Sequence, residues 1–169
     1  DDDVRASIYA GHRKNGIEMR YGAEPTAIKK IGNGLKVSFD DGSQIGTDLV
    51  MMATGRSPNT LGLGLENAGV KLSRNGAIVV DEYSQSSVKS IYAVGDVTDR
   101  VALTPVAIRE GAAFIETVYK DNPTAYDHSN IASAVFTMPP AGVVGLSEAE
   151  ARDGFARLFA RHGVDAVRR

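Results

Sequence analysis

The chain has 169 residues, enough for one ordinary domain or for parts of two. Its formal net charge is −2, so the balance favours neither nucleic acid nor an anionic membrane surface. It contains no cysteine, which excludes disulfides, thiolate metal sites and thiol chemistry by its own residues.

No apolar run approaches the roughly 20 residues that span a bilayer. The first residues, Asp1-Asp2-Asp3, are acidic and unlike the basic start of a secretory signal. The expected compartment is therefore cytoplasmic. The spacing predicts a helix over Asp3–Asn15, with Val4, Ile8 and Tyr9 as its apolar stripe and Gly16 as its C-cap. Ile17–Tyr21 alternates as a half-buried strand does. Thr26–Ile31 and Leu35–Phe39 flank Gly32-Asn33-Gly34, a hairpin signal, and Asp40-Asp41-Gly42 is a further turn. Asp48–Ala53 is an apolar run that predicts a buried strand.

Gly62-Leu63-Gly64 is a poor dinucleotide loop, because no strand leads directly into it and its next glycine, Gly69, comes too late. A turn and a short helix, Leu65–Ala68, fit better. Ile78–Asp81 predicts a short strand after the Asn75-Gly76 turn, and Ser84–Lys89 a polar connection.

The chain is organised around Ile91–Tyr119. Its first residues, Ile91–Val94, predict a buried strand of a parallel sheet. Gly95 lets the backbone turn and a ligand approach. Asp96 then stands beyond the strand's carboxyl end, where open α/β sheets bind ligands, and its acceptor oxygens suit a hydroxyl-bearing chain. Thr104 is a predicted N-cap and Pro105 a preferred first helical residue. Val106, Ala107, Ala113, Phe114, Thr117 and Val118 form the helix's apolar stripe. The amino end of that helix suits a ligand atom that becomes negative. Arg109 and Glu110 read as a solvated face.

Asn122-Pro123 ends the helix, and Tyr126–Asn130 reads as a linker. Ile131–Phe136 and Val143–Leu146 predict two strands around the turn Pro139-Pro140-Ala141-Gly142. Ser147-Glu148-Ala149-Glu150 is an N-cap with an acidic first turn. Phe155–Arg169 is rich in Ala and Arg, with spacing that suits a short basic helix. His12, His128 and His162 stand apart in the sequence and read as surface or linker residues.

Four segments fall in a recognisable order: ATGRSPN, IYAVGDV, LTPVAIREG and VFTMPPAGVVGLSEAEA. Together they resemble the pyridine nucleotide-disulfide oxidoreductases, in particular the glutathione reductase-like members. The resemblance runs from about Asp3 to Asp153, the middle of such an enzyme. It implies an α/β fold built on two dinucleotide-binding domains. Residues 1–58 would form the closing half of the NADPH domain and 59–128 the second FAD-domain segment. Residues 129–153 would open an α+β interface domain, and 154–169 would be an unmatched tail.

The resemblance also implies roles. Asp96, beside Gly95, would bond the ribityl chain of FAD. The Thr104 N–H would reach the flavin ring, with Leu103 and Pro105 beside it. Gly55 would lie at the nicotinamide cofactor, with Ala102 and Ala134 on the same side, and Arg56 would be a further cofactor-binding residue. The parent activity would pass a hydride from NADPH through FAD to a disulfide, glutathione disulfide first among the candidates, in a homodimer with no nucleic-acid or membrane partner. Some glutathione reductases carry a substrate-binding arginine where Ala112 stands here, so a trypanothione reductase-like enzyme remains open. A dihydrolipoyl dehydrogenase and a non-catalytic interaction fragment remain open as well. The family's redox cysteine pair, two glycine-rich loops and His-Glu pair have no counterpart here. No residue is therefore assigned a catalytic or metal-binding role, and the chain alone is expected to be inactive.

Overall fold

The structure is a computed structural model that describes residues 1–162, with side chains through 157. The chain divides into two compact units. One holds Asp1–Thr54 and the residues from Ala132 onward, and the other holds Gly55–Ile131.

The first unit opens with helix α1, Asp2–Lys14. Acidic Asp2 and Asp3 lie in its first turn and His12, Arg13 and Lys14 in its last, which matches the helix dipole at both ends. Its apolar stripe is thin, and none of its residues is fully buried. Gly11 has no room for a Cβ against the carbonyl of Met138, so the backbones meet closely there.

Strands β1 (Pro25–Ile31), β2 (Gly34–Phe39) and β3 (Gln44–Thr47) make an antiparallel sheet in the order β1-β2-β3. Ile31 pairs with Gly34 across the predicted hairpin. The Asp40–Gly42 turn returns the chain into β3, which pairs Val37 with Ile45. That strand escaped the sequence reading because Gln44-Ile45-Gly46-Thr47 is short and holds one apolar residue.

Two expected strands of this unit do not form. Ile17–Tyr21 and Asp48–Ala53 are irregular. Leu49, Met51 and Met52 are 80%, 83% and 62% exposed rather than buried. A strand is held by a neighbour's backbone groups, and among the described residues no neighbour pairs with either run.

The later part of this unit has strands β4 (Ser133–Val135) and β5 (Ala141–Val143), antiparallel, with Ala134 opposite Gly142. Both are shorter than expected, and Ala141 and Gly142 lie in β5 rather than in the turn. Helix α4, Glu148–His162, follows. Ser147 caps it as expected. Its Oγ accepts from the Glu150 N–H at 3.3 Å, while the Glu150 carboxylate accepts from the Ser147 N–H at 2.8 Å. Residues 163–169 of the expected basic segment lie outside the described residues.

The second unit packs around Val70, Ile78 and Ala93, with Leu65, Val80, Val88, Ile91 and Val97 against them. Helix α2 is Leu65–Ala68, as expected. Ile78–Asp81 and Ile91–Val94 are extended but form isolated antiparallel bridges, Leu72 to Ile78, Val80 to Ser86 and Gln85 to Tyr92. The parallel strand expected at Ile91–Val94 is therefore absent. Its backbone is satisfied locally instead, Ala93 N–H to Ser84 O at 3.0 Å. A 3-10 turn at Gly95–Thr98 then leads toward helix α3, Thr104–Tyr119. None of the described helices is long and apolar enough to cross a membrane.

Candidate functional site

The eight expected site residues of the second unit fall in three short stretches. Gly95 and Asp96 open the 3-10 turn. Ala102, Leu103, Thr104 and Pro105 lead into α3, and Gly55 and Arg56 begin the unit. The structure brings Arg56 to Asp96: its Nε lies 3.2 Å from Oδ2. Ala134 is exposed on β4, in the first unit.

Gly95 has φ +75°, a left-handed conformation that favours glycine. A Cβ there would lie 3.0 Å from the Ala107 Cβ. The turn thus rests directly on α3, and Asp96 projects from that contact with its side chain 45% exposed. Gly55 has φ +120° and nothing within 4 Å of a built Cβ, so its backbone is open to approach.

The start of α3 differs from expectation in one respect. Leu103, not Thr104, is the N-cap, and no side chain caps the helix. Leucine offers no acceptor to the first amides. The Leu103 carbonyl takes the N–H groups of Val106 and Ala107 at 3.0 and 3.1 Å. Pro105 has no N–H. The Thr104 N–H is then left without a backbone acceptor among the described residues, at the positive end of a 16-residue helix.

Glu110 is not on a solvated face. Among the described residues it is the largest fully buried side chain, 1% exposed as a residue. Its carboxylate has three partners. The Gly95 N–H donates to Oε2 at 2.5 Å, Arg100 Nη2 forms an ion pair with Oε1 at 2.9 Å, and His128 Nε2 shares a hydrogen bond with Oε1 at 2.6 Å. Arg109 is exposed, as expected. His128 is a half-buried partner of Glu110 rather than an isolated linker residue, and Tyr126 packs edge-on to its ring.

The helical spacing carried a signal for Glu110. It lies four residues after Val106 and three before Ala113, inside the apolar stripe. A carboxylate within such a stripe is buried or breaks the stripe. No local pattern pointed to Arg100 or His128, which reach Glu110 through the fold.

Residues 1–111 match the family model described as pyridine nucleotide-disulphide oxidoreductase. The chain belongs to that family. A glutathione reductase of Burkholderia cepacia is 48% identical over 158 residues, covering 94% of this chain and 35% of that relative. Trypanothione reductase of Trypanosoma congolense is 46% identical over 145 residues, covering 85% of this chain and 30% of that one. Among solved structures, the HOCl-induced flavoprotein disulfide reductase RclA from Escherichia coli superimposes with a TM-score of 0.85 at 28% identity, covering 90% of this chain and 35% of that chain. LpdA from Mycobacterium tuberculosis does so with a TM-score of 0.85 at 28% identity, covering 91% and 34%. This pyridine nucleotide-disulphide oxidoreductase chain thus spans about a third of the length of those relatives.

Proposed function

We propose that this chain supplies part of the FAD and NADPH sites of a disulfide reductase of the glutathione reductase type. Asp96 carries that reading. Its exposed carboxylate is held on a turn that is pressed against the start of α3, and its chemistry suits the hydroxyls of a ribityl chain. Thr104 contributes a free N–H at the positive helix end, where a ring atom of the flavin would accept it. Arg56 supplies a cation within reach of the same carboxylate. Gly55, Ala102 and Ala134 are read as contacts to NADPH. These groups fit a flavin cofactor, because Asp96 is an acceptor, the Thr104 N–H is a donor and Gly55 leaves its backbone open.

FAD, when bound, supplies a two-electron carrier between nicotinamide and disulfide. The residues here bind and orient it and place positive potential at its acceptor edge. The disulfide step needs thiols that this chain does not contain. The chain by itself is therefore read as inactive toward a disulfide.

By the same reading, residues 1–58 belong to the NADPH domain, 59–128 to the FAD domain and 129–153 to a dimer interface, in a cytoplasmic homodimer. Relatives named glutathione reductase at 48% and 49% identity support glutathione disulfide as substrate. A second reading, a trypanothione-type disulfide, is favoured by Ala112, which stands where some glutathione reductases bind a substrate carboxylate through arginine. Saturable FAD binding that Asp96→Ala weakens tests the flavin reading. Relative turnover of the two disulfides by the complete enzyme separates the substrates.

A further inference from the structure

Glu110 has no part in the cofactor contacts above, yet its burial is the deepest of any charged side chain described. A lone buried carboxylate is costly, and it persists where it is paired and fully bonded. Glu110 meets both conditions, with Arg100 as counter-charge and the Gly95 N–H and His128 as hydrogen-bond partners. Its direct backbone partner is the N–H of Gly95, the residue before Asp96.

The bonds close a loop. Arg100 Nε donates to Thr98 Oγ1 at 3.2 Å, and Thr98 Oγ1 donates to the Gly95 carbonyl at 2.8 Å. Arg100 Nη2 also donates to Ser84 Oγ at 3.0 Å. Gly95 is therefore held at its N–H by Glu110, at its carbonyl by Thr98, and at its Cα by Ala107. Two of those three attachments come from one face of α3, three residues apart. The turn that carries Asp96 is thereby tied to the helix that carries Thr104. His128 ties the segment after α3 to the same carboxylate.

We propose that Glu110 is the positioning residue for the flavin-binding turn: it fixes where the Asp96 carboxylate stands relative to the amino end of α3. This rests on the flavin reading of Asp96 for its functional meaning, and on the Glu110–Gly95 bond for its geometry. Arg100 and His128 act through Glu110, by holding its carboxylate in the one rotamer that reaches the Gly95 N–H.

Two measurements on the whole protein test it. The first is FAD affinity in a cycle of Glu110→Gln, Asp96→Ala and the double variant. Glu110→Gln retains the size of the side chain and loses its charge, so binding weakens about tenfold with Asp96 present. In the Asp96→Ala background the same change alters affinity less than about twofold, because there is no carboxylate left to position. Equal effects in both backgrounds would mark Glu110 as merely structural and overturn the proposal.

The second measurement is amide exchange at Gly95–Asp99, which needs no flavin. In Glu110→Gln, exchange quickens about tenfold in this turn while the β1-β2-β3 sheet is unchanged. Unchanged exchange in the turn, or a uniform rise everywhere, overturns the positioning claim. If the unaltered protein binds no FAD, the flavin reading fails alone, and the exchange result still decides whether Glu110 holds the turn.

Discussion

Arg56 reaches across to Asp96 and places its Nε 3.2 Å from Oδ2. Both side chains are well exposed, 76% and 45%. Such a pair contributes little to folding, about 0–1 kcal/mol, so its presence is better understood as preparation of a charged site. Arg56→Ala is expected to leave the urea midpoint nearly unchanged. The same substitution should weaken FAD binding by about tenfold, roughly 1.4 kcal/mol, with a shallower dependence on salt. Affinity measured at two ionic strengths checks this.

Gly95→Ala should be costly for two reasons that add. The left-handed backbone costs an alanine about 1–2 kcal/mol. The new methyl also meets Ala107 at 3.0 Å, and neither atom belongs to a flexible side-chain end. A loss of about 2–3 kcal/mol is expected from denaturant titration. Ala107→Gly in the same chain should recover the steric part and leave the backbone part.

Glu110→Ala should destabilise far more than an average surface change. It leaves Arg100 and the Gly95 N–H without their buried acceptor, and breaking such a buried pair costs about 3–5 kcal/mol. Arg109→Ala, one residue away and exposed, should cost about 0.5 kcal/mol or less. Equal losses for the two neighbours would contradict the burial of Glu110.

The contrast between these neighbours shows what the sequence carried. Periodicity located α1, the β1-β2 hairpin, α2, α3 and the Ser147 cap, because each is fixed by residues within a few positions. Strand formation at Ile17–Tyr21, Asp48–Ala53 and Ile91–Val94 depends on a partner strand, and apolar runs do not say whether one is there. At the site, Gly95, Asp96 and the start of α3 were legible as a motif. The bond from Glu110 to Gly95 was half legible, since the stripe of α3 runs through Glu110. Arg100 and His128 were not, because their approach is a product of tertiary packing.

Acid should loosen the start of α4. The Glu150 carboxyl is held below its ordinary value of 4.5, first by the Ser147 hydroxyl and then by the Ser147 N–H. A lowered folded value means the charged form is favoured by folding. The contribution is complete above pH 4.5 and is lost as pH falls from there through the lowered value. Glu150→Gln should remove that part of the acid dependence of helix content, followed by circular dichroism between pH 6 and about pH 3. An unchanged acid profile in the variant would count against the cap.

Leu49, Met51 and Met52 form a run of exposed apolar side chains. Apolar surface of this kind drives association. Met51→Lys should lower light scattering at high protein concentration, with a change in folding free energy of about 0.5 kcal/mol or less. A large loss of stability would mean that Met51 is buried in solution.

The most direct test of the whole account is an FAD titration of the protein, followed by flavin fluorescence and the visible spectrum, beside Asp96→Ala. Saturable binding with a perturbed flavin spectrum is expected, and binding that is much weaker but still measurable in the variant. Saturable binding that persists unchanged in Asp96→Ala would contradict the assignment of Asp96 as the flavin-holding residue.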